Sequence, residues 1–225
     1  MCGRYTLTDP DPRILRFRFD LSESAEIDGE PRFNVAPTDP VLAVRRSHAG
    51  AREPGNLRWG LVPHFADPDS FDRLLINARA ETVDKAPAFR DAFQRSRCLI
   101  LADGFYEWRA TPTGKRPQWI TLPQRGPFAF AGLWARSRRQ DGSDLHSCTI
   151  VTTEPSAEVA PIHDRMPVIL GRQDESTWLD PATSAEELRE LLRPREGMDV
   201  TEVSDAVSDV RQDGPHLLEP PLQLF

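Results

Sequence analysis

The sequence predicts an α+β fold built around antiparallel sheet, in one domain spanning residues 1–225. Three observations lead there. Short apolar or alternating runs that read as strands outnumber helical patterns. The two kinds do not alternate as βαβ units would. No Pro/Gly/Ser-rich linker, repeat or low-complexity tract divides the chain. A globular chain of 225 residues buries roughly three quarters of its unfolded surface and needs no metal or disulfide staple.

In chain order, residues 4–8 read as a strand. Residues 10–19 read as a short helix entered through Asp9 and Pro10, and 20–31 as an acidic loop. Residues 41–46 and 56–62 read as strands around a turn at AGAREPG, and 73–83 as part strand and part loop. Phe89 and Phe93, four residues apart, mark a helix over 86–96. The run 97–109 is β-like and interrupted at Gly104; strands at 118–122, 127–136 and 146–153 follow. Ser156 is placed to cap a short helix ending before His163. Residues 166–170 read as a strand, 174–180 and 184–192 as helices, 198–204 as a last strand, and the rest as a Pro-rich tail.

Composition excludes several classes. With 39% hydrophobic and 28% charged residues, the chain is neither disordered, collagen-like nor a disulfide scaffold. No apolar run approaches the ~20 residues that span a bilayer, and MCGRYTLTDPDPR has no apolar signal core. The three Cys, at positions 2, 98 and 148, are expected to be reduced thiols in a cytoplasm. The net charge of -7 conceals an asymmetry: residues 1–150 carry 22 basic and 19 acidic side chains, and residues 151–225 carry 6 and 16. Of 28 basic residues, 26 are Arg, whose planar fork suits phosphate, although genomic composition explains an Arg bias equally well.

Cys2 is the most informative residue. A small second residue permits removal of Met1, which leaves a free amine and a thiol on adjacent carbons. Both groups are partly nucleophilic near neutrality. Such a 1,2-aminothiol condenses with an aldehyde to an imine, and the thiol then closes a thiazolidine. The alternatives are thiol attack on an acyl carbon with the amine as base, and a frayed, inert terminus.

Glu107 lies in DGFYEWR, where strand alternation puts it on one face with Phe105 and Arg109, opposite Tyr106 and Trp108. A carboxyl among aromatics is desolvated and suited to proton transfer; the alternative is an ordinary strand Glu paired with Arg109. His163, in PIHDRMP, is an acid/base positioned by Asp164 or Arg165, or else a turn histidine. In INARAET, the Asn77 amide both donates and accepts, and Arg79 grips a phosphate. Arg4 would bring a phosphate beside the terminus. Trp59 and Pro37 are stiff apolar elements that stack against bases, or belong to the core. No metal-ligand spacing, P-loop, GxGxxG or GxSxG is present, so neither metal nor nucleotide cofactor is expected.

Taken together, MCGR, FNVAPT (33–38), WGLVP (59–63), INARAET (76–82), DGFYEW (103–108), IVTTEP (150–155) and IHDRMPVIL (162–170) resemble the SRAP family, the SOS response-associated peptidase-like proteins. The blocks run in order over nearly the whole chain. The resemblance implies an antiparallel, barrel-like core with peripheral helices and a positively charged groove. It implies a monomeric sensor of abasic sites in single-stranded DNA, whose N-terminal Cys forms a thiazolidine with the ring-opened sugar. On that reading Cys2, Asn77, Glu107 and His163 are catalytic, while Arg4, Pro37, Trp59, Arg79, Trp108 and Thr152 contact DNA. The chain departs from the family pattern at Phe65 and Tyr106, where Trp and Phe are common, and at Asp209 and Gln212, where Asn is expected. Two other functions stay open at this level: an N-terminal-Cys peptidase or amidohydrolase, and a noncatalytic single-stranded DNA-binding module.

Overall fold

A computed structural model describes residues 2–221. Its strands are β1 (Tyr5–Leu7), β2 (Arg32–Val35), β3 (Pro40–Arg46), β4 (Arg52–Trp59), β5 (Asn77–Arg79), β6 (Arg97–Ala102), β7 (Gly104–Thr111), β8 (Gly114–Thr121), β9 (Phe128–Arg138), β10 (Asp144–Thr153), β11 (Met166–Pro167), β12 (Ile169–Leu170) and β13 (Asp199–Glu202). The helices are α1 (Pro12–Phe19), α2 (Arg90–Arg95), α3 (Asp174–Leu179) and α4 (Ala185–Glu190).

Five strands close into a ring. β10 pairs with β4 in parallel, and β4–β3, β3–β6, β6–β9 and β9–β10 pair antiparallel. A second sheet, β13-β8-β7-β1-β2, lies beside this barrel. Period-two alternation sorts the barrel's side chains. Val41, Ala43, Leu57, Trp59, Cys98, Ile100, Phe128, Phe130, Cys148 and Ile150 point into one cluster, which Cys2, Tyr5 and Phe105 join. Leu42, Val44, Leu99, Leu101, Ala131 and Leu133 point outward, under Leu15 and Phe19 of α1, Phe93 of α2 and Trp178 of α3. No helix is long and apolar enough to cross a membrane among the described residues.

Asp103 is the hinge between the two sheets, since β6 ends before it and β7 begins after it. Its buried carboxylate accepts from the Thr6 hydroxyl at 2.6 Å and from the Thr8 amide and hydroxyl at 2.6 Å each, fastening β1 to the start of β7. Gly104 is required by close approach: a Cβ there would lie 2.2 Å from Trp119 Nε1 and 2.9 Å from Thr6 Oγ1.

The structure revises several expected elements. α1 is entered through Asp11 and Pro12, with the Asp11 carboxylate accepting from the Arg13 amide. No helix forms after Ser156: its carbonyl accepts one i+4 amide, from Ala160, and its hydroxyl turns to Glu158. Residues 52–55, expected in a turn, extend β4. The tail forms two 3₁₀ turns, Asp205–Ser208 and Pro215–Leu218, whose Val207 and Leu217 pack on Tyr106 and Trp119. The expected loss of Met1 falls outside the described residues.

Candidate active site

The site begins with register. In the β1–β7 pair Tyr5 faces Phe105 and Thr6 faces Gly104, and the Tyr106 amide donates to the Arg4 carbonyl at 3.0 Å. Carried toward the start of the chain, this pairing lays Cys2 along the part of β7 that bears Glu107. The Asn77 Nδ2 donates to the Cys2 carbonyl at 2.9 Å from the other side. Asn77 is fixed there because β5 runs parallel to β10, pairing Asn77 with Ile150 and Arg79 with Thr152.

Burial controls the chemistry of these groups. Cys2 is 0% exposed, and burial, then the negative charge of Glu107, pushes its thiol well up. Glu107 is 3% exposed; burial raises its carboxyl to about 7. Burial also lowers His163, with the positive amino terminus acting in the same direction and Asp164 opposing. The His163 Nε2 lies 3.9 Å from Glu107 Oε2. The two shifts run against ion pairing, so near neutral pH a carboxyl divided between its acid and its carboxylate form lies beside an imidazole biased to its neutral form, a pair able to give and take one proton. Glu107 Oε1 and Asn77 Oδ1 are buried without a hydrogen-bond partner among the described residues. Glu107, Trp108, Lys115, His163 and Ser208 line an open cleft of about 360 Å³.

Cys2, Asn77, Glu107 and His163, read separately from four parts of the chain, thus meet. The expected DNA-contacting set divides. Trp108 lines the cleft, its indole donating to Ser208 Oγ at 3.2 Å. Arg79 is exposed on β5, and Pro37 is half-buried in the turn after β2. Trp59 is corrected: it is wholly buried in the barrel, donates to the Ile76 carbonyl at 2.9 Å and packs edge-on to Tyr5, so it offers no ring face to a base. Thr152 is 3% exposed, and its carbonyl accepts from Arg165 at 2.6 Å, which leaves it no outward surface for a DNA backbone. Arg4 turns to the tail: Nη1 donates to Asn34 Oδ1 and the Val207 carbonyl, both at 2.8 Å.

Asn34 explains why the departures at 209 and 212 are tolerated. Its Nδ2 reaches the carbonyls of Gln212 at 2.8 Å, Asp209 at 3.1 Å and Val207 at 3.2 Å. The contacts use backbone oxygens, which any residue supplies. Lys115 and Ser208 were missed from sequence. Lys115 had one available signal, as one of two lysines among 28 basic residues; Ser208 reaches the cleft through tail packing that no local pattern encodes.

A closed barrel with a buried thiol near the chain start, beside a carboxyl–imidazole pair that lines an open cleft, is the arrangement that defines the site. The chain belongs to the SOS response associated peptidase (SRAP) family, whose model matches residues 1–210. Abasic site processing protein YoqW of Bacillus subtilis is 40% identical over 224 residues, covering 97% of this chain and 99% of that protein. Abasic site processing protein HMCES of Gallus gallus is 32% identical (84% and 66% covered), and YedK of Escherichia coli is 28% identical (98% and 100%). A Bacteroides thetaiotaomicron protein shares the fold at TM-score 0.85 and 22% identity, covering 98% and 100% of the two chains. One from Bordetella bronchiseptica matches at TM-score 0.76 and 27% identity, covering 90% and 100%.

Proposed function

We propose that this chain processes abasic sites in single-stranded DNA by forming a covalent thiazolidine through Cys2 once Met1 is removed. The observation that carries this reading is the convergence of buried Cys2 and of His163 on Glu107, with Glu107 and His163 lining an open cleft. The relatives' names supply the substrate, and the site supplies the chemistry.

The free α-amine of Cys2 adds to the open-chain aldehyde of the abasic sugar. Glu107, as the acid, protonates the carbinolamine hydroxyl, which leaves as water and gives the imine. The Glu107 carboxylate then takes the proton of the Cys2 thiol as sulfur bonds to the imine carbon, and the nitrogen ends protonated as the ring amine. The net change is aminothiol plus aldehyde to thiazolidine plus water. A thiol whose ionisation burial suppresses needs such a base at hand, which Glu107 supplies. His163 exchanges a proton with the sugar oxygens during ring opening and during reversal. Arg79 holds a phosphate, and the site, drawn from one chain, acts as a monomer.

The test is a denaturing gel after incubation with single-stranded DNA bearing one abasic site. A covalent band is expected, lost in Cys2→Ala, which retains only a borohydride-trappable imine. Intact mass should show loss of Met1. Glutamine or peptide turnover without a band would instead mark a hydrolase, and a native-gel shift alone a binding module.

A further inference from the structure

His163 Nδ1 faces two partners of opposite kind. The Arg165 backbone N–H donates to it at 3.0 Å, and Asp164 Oδ1 lies 2.9 Å from it. One nitrogen cannot satisfy both at once. With a lone pair on Nδ1 the ring accepts from Arg165, and the proton sits on Nε2. With a proton on Nδ1 the ring donates to Asp164, and Nε2 of the neutral ring carries the lone pair.

We propose that this choice of partner at Nδ1 sets whether His163 Nε2 presents the lone pair of a base or only an N–H, with Asp164 the positioning residue for the base form. The proposal deepens the role given to His163 above and rests on that reading. Nε2 is the nitrogen directed at Glu107, 3.9 Å away, so the switch is made on the far side of the ring from the chemistry.

The two partners differ in rigidity. Arg165 is anchored: its guanidinium holds both oxygens of Glu81, at 2.5 and 3.1 Å, and the Thr152 carbonyl at 2.6 Å. Its amide is therefore a fixed donor. The Asp164 side chain is 88% exposed and His163 25%, so Asp164 is free to turn toward or away from the ring as its proton moves. When Nε2 of the Asp164-bonded ring takes up a proton the ring becomes an imidazolium, Nδ1–H keeps Asp164 as its acceptor, and the proton is given back from Nε2 with the ring in one orientation. An acid/base serving both crosslink formation and reversal needs that symmetry, because each direction starts from the opposite protonation state.

The charged groups facing His163 are Glu107 from β7, Lys115 from β8, the amino terminus and Asp164. Asp164 lies at Nδ1 and Glu107 at Nε2, so the tautomer ratio reads the Asp164 contact.

The experiment is ¹⁵N NMR of the imidazoles in the free protein across pH, with His163 assigned by loss of its signals in His163→Ala. In Asp164→Ala the Nε2–H tautomer should rise, and the proton affinity of His163 should fall roughly two- to fivefold, the ordinary worth of an exposed charge pair. Asp164→Glu should restore both. Single-turnover crosslinking by Asp164→Ala should show the pH profile displaced toward lower pH. An unchanged tautomer ratio and proton affinity would overturn the proposal. Absence of any crosslink in the wild type, with the tautomer shift as expected, would refute the function proposed above and leave the Asp164–His163 relationship standing.

Discussion

The Asn77 side-chain amide donates to the Cys2 carbonyl at 2.9 Å across 75 residues of sequence. This bond, with the Arg4–Tyr106 backbone pairing, fixes the direction of the chain start. It leaves Asn77 Oδ1 buried and facing no described acceptor or donor; on the proposed mechanism this oxygen accepts a hydrogen bond from the Cys2 amine once Met1 is gone. Asn77→Ala removes both contacts. Loss of about 1–2 kcal/mol of positioning energy slows single-turnover crosslinking by roughly 5- to 30-fold, while Cys2→Ala abolishes the stable product. A rate equal to wild type would separate Asn77 from the reaction.

Glu107 makes stability depend on pH in a definite sense. Burial raises its carboxyl from the ordinary ~4.3 to about 7. Between those values the folded chain binds more protons than the unfolded one. Stability from this residue is therefore complete at acid pH and declines as pH rises through about 7, by on the order of 3 kcal/mol. Glu107→Gln removes that slope. Denaturant melts of both proteins at about pH 5 and about pH 8 should show the variant gaining on wild type as pH rises. A parallel pair of curves would mean that Glu107 titrates as an exposed carboxylate.

The same substitution trades stability for activity. Gln keeps the shape of Glu107 but transfers no proton, so crosslink formation should slow by ~10²–10⁴-fold, the usual range for a general acid–base group. His163→Ala should slow formation and reversal together, since a group that assists one direction assists the other. Reversal is followed by transfer to a competing abasic strand. Noncovalent binding should change little in either variant; proportional loss of binding would recast both residues as structural.

Much of this was legible in the sequence because it was local. Alternation across 105–109 correctly sent Phe105 into the barrel and Tyr106 to the other face, under Val207 and Leu217. A strand break near Gly104 was legible too, although it falls one residue earlier, at Asp103, and the reason for the glycine, the indole of Trp119, was not. Trp59 defeated a local reading: a tryptophan in WGLVP looks the same whether it faces a base or fills a barrel. The closure of β10 onto both β4 and β9 decides the matter. The tail contacts of Arg4 were hidden for a similar reason, because its acceptors Asn34 and Val207 lie 30 and 203 residues away.

Arg4 and Arg79 should now behave differently. Arg79, exposed on β5 beside Asn77, is expected to hold a phosphate, so Arg79→Ala weakens binding to intact and abasic strands alike. Wild-type affinity falls between about 50 and 200 mM salt, and the variant's salt slope is shallower by about one unit. Arg4→Ala instead lowers Tm, because it removes the chain start's hold on the Val207 carbonyl in the 205–208 turn and on Asn34 of β2. Equal effects of the two variants on affinity, with unchanged Tm, would return Arg4 to the phosphate-binding set.

Arg97 carries the last prediction, which concerns the scaffold. Its side chain is buried, yet among the described residues it faces no carboxylate at hydrogen-bond distance. Its nitrogens donate to the carbonyls of Phe93 (2.6 Å), Gln94 (2.7 Å), Trp178 (2.6 Å) and Asp180 (2.7 Å). The first two belong to the last turn of α2, and the others to the end of α3. These are carbonyls that a helix cannot satisfy internally, and the negative ends of two helix dipoles supply the counter-charge for one guanidinium. Burial lowers the Arg97 pKa, with the more distant Asp180 carboxylate opposing. Arg97→Met keeps the packing volume but strands four acceptors, so it should destabilise the fold by about 3–5 kcal/mol. Arg97→Lys recovers little of this, because an ammonium has three donors and no planar fork to span two helix ends. Urea denaturation of both variants provides the measurement. A loss below about 1 kcal/mol in Arg97→Met would show that water replaces the guanidinium at the helix ends.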